Sequence, residues 1–305
     1  MNLQEYLEGY LEYCRFRKEL DAKSLKAYGI DLRQYFAFCG NGEPQKARIE
    51  EYITELHKNY KQKTVKRKIA SIKAFYNYLE EEEVIESSPF RKIKVKFKEN
   101  FVLPRIIPRE EIEGILNCMY AALRESTPEK KNACMRDIAV IETFFATGAR
   151  VYEISNIRTE CVDLHSGFIR IMGKGGKERY IQIGEQAVLE LLRQYYAVNE
   201  TEIKACGYFF INRRNSRYTE QSIRDMLKYY TNRAGIERNI TPHMFRHSFA
   251  TYLIEEGVDV SCVQQLLGHS SINTTQIYIH VAAEKQAEIL RNMHPRKLMH
   301  IDGVA

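Results

Sequence analysis

Apolar residues recur at helical spacing through the first eighty positions. Leu3, Leu7, Tyr10, Leu11 and Phe16 predict a helix within 1–20. Leu25, Tyr28, Leu32, Tyr35, Phe36 and Phe38 predict a second over 22–38. Ile49, Tyr52, Ile53 and Leu56 mark a third over 46–58, and Val65, Ile69, Ile72, Phe75, Tyr76 and Leu79 a fourth over 62–83. The stretch Gly40-Asn41-Gly42-Glu43-Pro44 separates the second from the third, and Ser87-Ser88-Pro89 is the expected stop of the fourth. Then Lys94-Val95-Lys96-Phe97-Lys98 alternates as extended chain does.

From residue 108 the pattern changes. Helical spacing covers 109–123 and 134–146, and resumes over 185–198, 219–234, 241–256, 259–267 and 271–293. Between these lie three short β-branched or aromatic runs, Val162-Asp163-Leu164, Phe168-Ile169-Arg170-Ile171-Met172 and Tyr180-Ile181-Gln182-Ile183. His165-Ser166-Gly167 and Gly173-Lys174-Gly175-Gly176-Lys177 separate them as turns, so a small three-stranded antiparallel meander is expected. Gly257 and Gly268 stand where helix C-caps would. The expected fold class is mainly α: a four-helix domain over 1–97, a linker over 98–107, a mixed α+β domain over 108–283 and a tail over 284–305.

A length of 305 residues agrees with about two domains. No apolar run approaches the roughly 18 residues of a membrane span, and Met1-Asn2-Leu3-Gln4-Glu5 does not begin a secretory signal. The seven cysteines form no Cys-x-x-Cys pair, which suits reduced thiols and a cytoplasmic setting. The net charge of +6 says little, but its distribution says more. No acid occurs between Lys58 and Leu79, a stretch holding Lys61, Lys63, Lys66, Arg67, Lys68 and Lys73. After Glu80-Glu81-Glu82-Glu83, a second basic run holds Arg91, Lys92, Lys94, Lys96 and Lys98. Such runs are either a solvated face or a phosphate-contacting surface.

Four further stretches could carry chemistry. In Thr241-Pro242-His243-Met244-Phe245-Arg246-His247, Thr241 and Pro242 open a helix on which His243 and Arg246 share a face. A metal pair of His243 and His247 is disfavoured because the Arg246 guanidinium lies between them. Gly173–Lys177 lacks the Ser or Thr and the following helix of a Walker loop, so it is a β-turn carrying Lys174 and Lys177. In Ala146-Thr147-Gly148-Ala149-Arg150-Val151-Tyr152-Glu153, Gly148 ends one helix and Arg150 opens the next. Arg150 and Glu153 there fit a surface ion pair worth under about 1 kcal/mol. Gly268-His269-Ser270-Ser271 precedes a helical pattern carrying Tyr278, one of 20 tyrosines.

Taken in order, the arginine of Thr-Gly-Ala-Arg, a hairpin lysine, His-x-x-Arg, Leu-Gly-His and a tyrosine nine residues later resemble the tyrosine recombinase/integrase family. The likeness is to its compact two-domain Xer-type members. It covers most of 106–290 and is most specific over 241–281; the N-terminal helices are similar in pattern alone. Ala149 and Phe245 stand where leucine is usual. The resemblance implies an N-terminal SAM-like core-binding domain and a catalytic domain of the DNA breaking-rejoining fold. It implies that Arg150 and Arg246 hold the scissile phosphate, with His243 and His269 as the active-site histidines. Lys174 is then the hairpin lysine, Lys177 its lesser alternative, and Tyr278 the nucleophile.

The implied reaction is site-specific recombination through a 3′-phosphotyrosine, without metal, ATP or other cofactor. The implied partners are duplex DNA with an inverted-repeat core site and further recombinase copies, identical or paralogous, in a tetrameric synapse. The C-terminal tail would dock on a neighbouring protomer. Mobile-element integration or excision and Xer-like dimer resolution remain open. So do a type IB topoisomerase-like relaxing activity and a DNA-binding accessory factor with a vestigial site.

Overall fold

The structure is a computed structural model that describes residues 2–40, 46–95, 97, 105–173 and 178–268. The chain separates into two compact units, Met1–Phe101 and Val102–Ala305. Among the described residues no helix is long and apolar enough to cross a membrane.

In the first unit, a short 3-10 turn over Leu3–Tyr6 leads into α1 (Leu7–Phe16), followed by α2 (Ala22–Cys39), α3 (Lys46–Asn59) and α4 (Gln62–Glu81). Asp21 caps α2 by accepting from the Ser24 N–H. The apolar stripes meet in one core in which Tyr10, Leu32, Tyr35, Phe75 and Tyr76 are buried. Such side chains contribute roughly 1.5–3 kcal/mol each when fully buried. The Tyr35 and Tyr76 hydroxyls satisfy each other at 2.8 Å.

The fourth helix stops earlier than the sequence suggested. It closes at Glu82, and Glu83 takes a positive φ of 56°. Consecutive carboxylates at the negative end of the helix dipole disfavour its continuation. Pro89 instead opens a 3-10 turn over Pro89–Arg91. Beyond it, Ile93, Val95 and Phe97 pack on the core of the first unit while Lys92 and Lys94 are exposed, which explains the alternation.

The second unit is built around α6 (Pro128–Thr147). Ile138, Ala139, Val140 and Ile141 are all buried, so neighbours cover this helix on every side. It begins earlier than the apolar pattern showed because its first turns are polar and Pro128 occupies N1. It packs with α5 (Arg109–Arg124), α8 (Gln186–Cys206) and α10 (Pro242–Glu255). The helix α8 runs past the expected 198. Asn199 is buried, bonding the Tyr195 carbonyl at 2.8 Å, and Ile203 continues the apolar face to Gly207. A short α7 (Val151–Ser155), α9 (Glu220–Arg233) and α11 (Val260–Leu267) complete the unit's described α-helices, and a 3-10 turn covers Thr159–Cys161.

The sheet contains β1 (Val162–Asp163), β2 (Phe168–Met172) and β3 (Glu178–Gln182), antiparallel in the order β1-β2-β3. Its register sets Ile169 opposite Ile181 and Ile171 opposite Arg179. Ile169, Ile171 and Ile181 are buried in the unit's core. Two stretches singled out in the sequence are thereby placed, the Gly148–Arg150 corner and α10, together with the strands β2 and β3 on either side of residues 174–177.

Candidate active site

The corner after α6 is set by Gly148. It closes α6 in the left-handed region at φ 58°, and its carbonyl faces α10. A methyl group there would fall 2.5 Å from Phe249 Cδ1 and 2.8 Å from Leu267 Cδ2, so the close approach of these segments requires glycine. Arg150 follows as the N-cap of α7. Glu153 Oε2 accepts from the Arg150 backbone N–H at 2.8 Å, as the acidic half of a capping box does. Glu153 Oε1 accepts from Arg150 Nη1 at 2.8 Å.

This pair is not the surface contact that its spacing suggested. The Glu153 side chain is 2% exposed, whereas that of Arg150 is 38% exposed. Arg179, on β3, forks onto the same carboxylate, with Nη2 to Oε2 at 2.7 Å and Nη1 to Oε1 at 3.2 Å. Arg246 reaches it from α10, Nη1 lying 3.9 Å from Oε2. Burial pushes the Glu153 carboxyl up. Hydrogen bonds from the Arg179 side chain, the Arg150 backbone and the Arg150 side chain, with the attraction of the Arg179 guanidinium, outweigh this and hold it below the usual carboxylate range.

Arg246 is itself buried. It donates from Nη1 to the Gly148 carbonyl at 2.8 Å and from Nη2 to the Leu267 carbonyl at 2.7 Å. One guanidinium thus ties the corner after α6 to the end of α11. His243, one turn earlier on α10, is exposed. His247 is half-buried, and burial, then His243 and Arg246, push its pKa down.

Arg150, Arg246 and His243 are therefore described, and the two arginines share the carboxylate of Glu153. Lys174, Lys177, His269 and Tyr278 lie outside the described residues, as does Lys96. The described residues run to Gly173, resume at Glu178 and extend to Gly268.

The basic residues of the first unit divide into classes. Lys61, Lys63, Lys92 and Lys94 are exposed. Arg91 is exposed and paired with Glu80. Lys66 holds its ammonium 5.2 Å from the centre of the Phe97 ring. Arg67 pairs with Asp31 and keeps 44% of its side chain exposed. Lys68 corrects the expectation of a basic surface. Only 3% exposed, it bonds Asp31 Oδ1 at 3.1 Å and also Gln34. Asp31 is fully buried, and a buried carboxylate draws in a cation rather than leaving it to solvent.

The residues missed from sequence are Glu153 as the hub of the arginines, Arg179 and Asp31. Arg179 left a trace: it shares the inward face of β3 with Ile181, whereas Glu178, Tyr180 and Gln182 point out. A charge on the buried side of an alternating strand needs a buried partner.

The phage integrase family model matches residues 107–285, and the phage integrase N-terminal SAM-like domain model matches residues 7–83. A tyrosine recombinase of Agathobacter rectalis is 45% identical, covering 98% of this chain and 99% of its own length. A tyrosine recombinase XerC of Leptospira interrogans is 32% identical, covering 96% of this chain and 94% of its own. A solved XerH site-specific recombinase, bound to difH substrate in a pre-cleavage complex, shares the fold with a TM-score of 0.71. That similarity is at 22% identity and covers 95% of this chain and 84% of the other. Family motif, near-full-length identity and fold agree, and the chain belongs to the phage integrase family: it is a tyrosine recombinase, an enzyme of site-specific recombination by DNA cleavage and rejoining.

Proposed function

We propose that Tyr278 is the nucleophile of this recombinase and that Arg150 and Arg246 bind the non-bridging oxygens of the scissile phosphate. The observation that carries this reading is that the two guanidiniums, 96 positions apart in the chain, meet at one carboxylate, Glu153. A phosphodiester is already anionic and gains charge on its oxygens as it is attacked. Guanidiniums match those oxygens in a planar fork, which an ammonium does not.

A phenol has a pKa near 10, so only about one part in a thousand is ionised at neutral pH, a deficit of roughly 4 kcal/mol. The cationic site lowers that deficit, and His243 takes the proton. The Tyr278 oxygen bonds to phosphorus as the bond to the 5′ oxygen breaks. Lys174 gives that oxygen its proton, leaving a 3′-phosphotyrosine and a free 5′-hydroxyl. His269 hydrogen-bonds the phosphate. Attack by a 5′-hydroxyl from a second duplex runs the step backwards and rejoins the strands, the phosphoester having been kept in the covalent link.

The partner in this reading is duplex DNA carrying an inverted-repeat core site; the XerH recombinase of similar fold is bound to its difH substrate. In this reading four copies assemble on paired sites in the cytoplasm. Residues 1–97 bind the core site, 98–107 link, 108–283 catalyse, and 284–305 dock on a neighbour. Lys61, Lys63, Lys92 and Lys94 supply phosphate contacts. The test is a nicked suicide substrate of the cognate site. The wild type should trap a covalent adduct and Tyr278→Phe should bind equally yet trap none; adduct formation by the Phe variant would remove Tyr278 from the role. Exchange of strands between two duplexes, rather than relaxation of supercoils alone, separates recombination from a topoisomerase-like activity.

A further inference from the structure

Arg179 has no part in the mechanism above, yet its side chain is only 10% exposed. It stands at the base of the β2–β3 hairpin, one register step inside the Met172–Glu178 pair that precedes the turn. Its fork occupies both oxygens of Glu153. Its aliphatic portion lies against the glycine that ends α11: a methyl on Gly268 would fall 3.2 Å from Arg179 Cδ. Gly268 adopts φ 63°, so this position is glycine on two counts. Arg179 Nε is buried without a hydrogen-bond partner among the described residues. A guanidinium held this deep, with one donor unsatisfied, is costly unless its fork serves a purpose.

We propose that Arg179 is a positioning residue for strand cleavage: by saturating Glu153, it leaves the remaining donors of the exposed Arg150 guanidinium to the phosphate. Three guanidiniums surround one carboxylate. With Arg179 in place, Arg150 gives Glu153 one Nη and its backbone N–H, and keeps its remaining donors. Without Arg179 the same buried carboxylate is under-neutralised. It then draws Arg150 onto itself and competes with the phosphate for it. Arg179 acts through Glu153 and touches no DNA.

This inference rests on the proposed roles of Arg150, Arg246 and Tyr278. The experiment compares single-turnover cleavage of a nicked core site by wild type, Arg179→Met, Arg179→Lys, Glu153→Gln and the Arg179→Met/Glu153→Gln double variant. Each is used as the full chain and checked by DNA binding and thermal unfolding. Arg179→Met should slow adduct formation about 100-fold, the scale of one lost electrostatic contact to a transition state. Arg179→Lys keeps the charge without the fork and should be slowed about 10-fold, because a lysine cannot cover both oxygens.

The deciding arm is the double variant. Neutralising Glu153 removes the competitor, so adding Glu153→Gln to Arg179→Met should restore about 10-fold. A 5′-bridging phosphorothiolate, whose leaving group needs no proton, should rescue Lys174→Ala but not Arg179→Met. A double variant no faster than Arg179→Met, an Arg179→Lys chain as fast as wild type, or full phosphorothiolate rescue of Arg179→Met would each overturn the inference. Should Arg179→Met not fold, Arg179→Lys with and without Glu153→Gln decides on the same criteria. A wild-type chain that traps no adduct would overturn the mechanistic reading instead.

Discussion

Each unit of the molecule contains a buried carboxylate that gathers cations, and the two put the device to different ends. In the first unit Asp31 on α2 is fully buried and takes Arg67, Lys68 and Ser71 from α4. The lysine is interred with it, and the result joins two helices. In the second unit Glu153 gathers Arg150, Arg179 and Arg246 from α7, β3 and α10. Both carboxylates carry more than one cation, two on Asp31 and three on Glu153, and in each cluster one arginine stays exposed, Arg67 at 44% and Arg150 at 38%. The difference lies in where the cations come from. Asp31 takes both from α4, so its cluster fastens one helix to another, whereas Glu153 takes one each from α7, β3 and α10, two of them the motif arginines Arg150 and Arg246. The number of elements that converge on the carboxylate, rather than the presence of an ion pair, separates a joint from a candidate catalytic centre.

The comparison is tested most severely by truncating each hub. Glu153→Ala leaves three guanidiniums without their shared partner, and cleavage in a suicide-substrate assay should fall by more than about 100-fold. Asp31→Ala should destabilise the first unit by about 3–5 kcal/mol in denaturant unfolding, since it strands a buried ammonium. At saturating DNA and low temperature it should leave the cleavage rate of the folded chain within about 3-fold of wild type, because sites without shared partners behave nearly additively. Equal losses of cleavage in both variants would erase the distinction.

Acid sharpens it further. The Glu153 carboxyl is held below its ordinary value in the folded chain, so the unfolded chain takes up its proton first as pH falls. Its contribution to stability is complete above about pH 4.5, the upper edge of the unfolded carboxylate range, and is lost as pH falls through the lowered folded value. The stability difference between wild type and Glu153→Gln, followed by urea unfolding, should therefore shrink below about pH 4.5. A difference independent of pH would mean that the carboxylate charge is not what holds the arginines. The smallest effect belongs to the exposed basic face. Lys63→Ala should lower DNA affinity a few-fold and reduce the salt slope of binding by about 1, with unfolding unchanged. An unchanged salt slope would remove Lys63 from the phosphate contacts.

Much of this was legible along the chain. The apolar periodicity located α2, α3, α9, α10 and α11 to within a few residues, and the β-branched runs located the sheet. Polar ends were harder to see: α6 starts and α8 finishes in stretches with little apolar signal. The short α7 has little apolar period of its own, but the Gly148–Arg150 corner marked its start, and Arg150 opens it as expected. The motifs singled out Arg150, His243 and Arg246, whose spacing within each motif is local.

Which faces are apolar, where the helices turn and which residues carry reactive groups can all be read along the chain, because these depend on neighbours a few positions away. Which charges are removed from water depends on packing between distant segments. Lys68 and Arg67 stand in an acid-free run, yet their carboxylate is Asp31, 37 and 36 positions earlier. Glu153 looked like the surface mate of Arg150 until Arg179, 26 positions later, and Arg246 closed over it. Burial is set by what packs on a side chain from elsewhere in the fold. The cost of desolvating a charge, and with it the identity of its partner, cannot be read from local spacing.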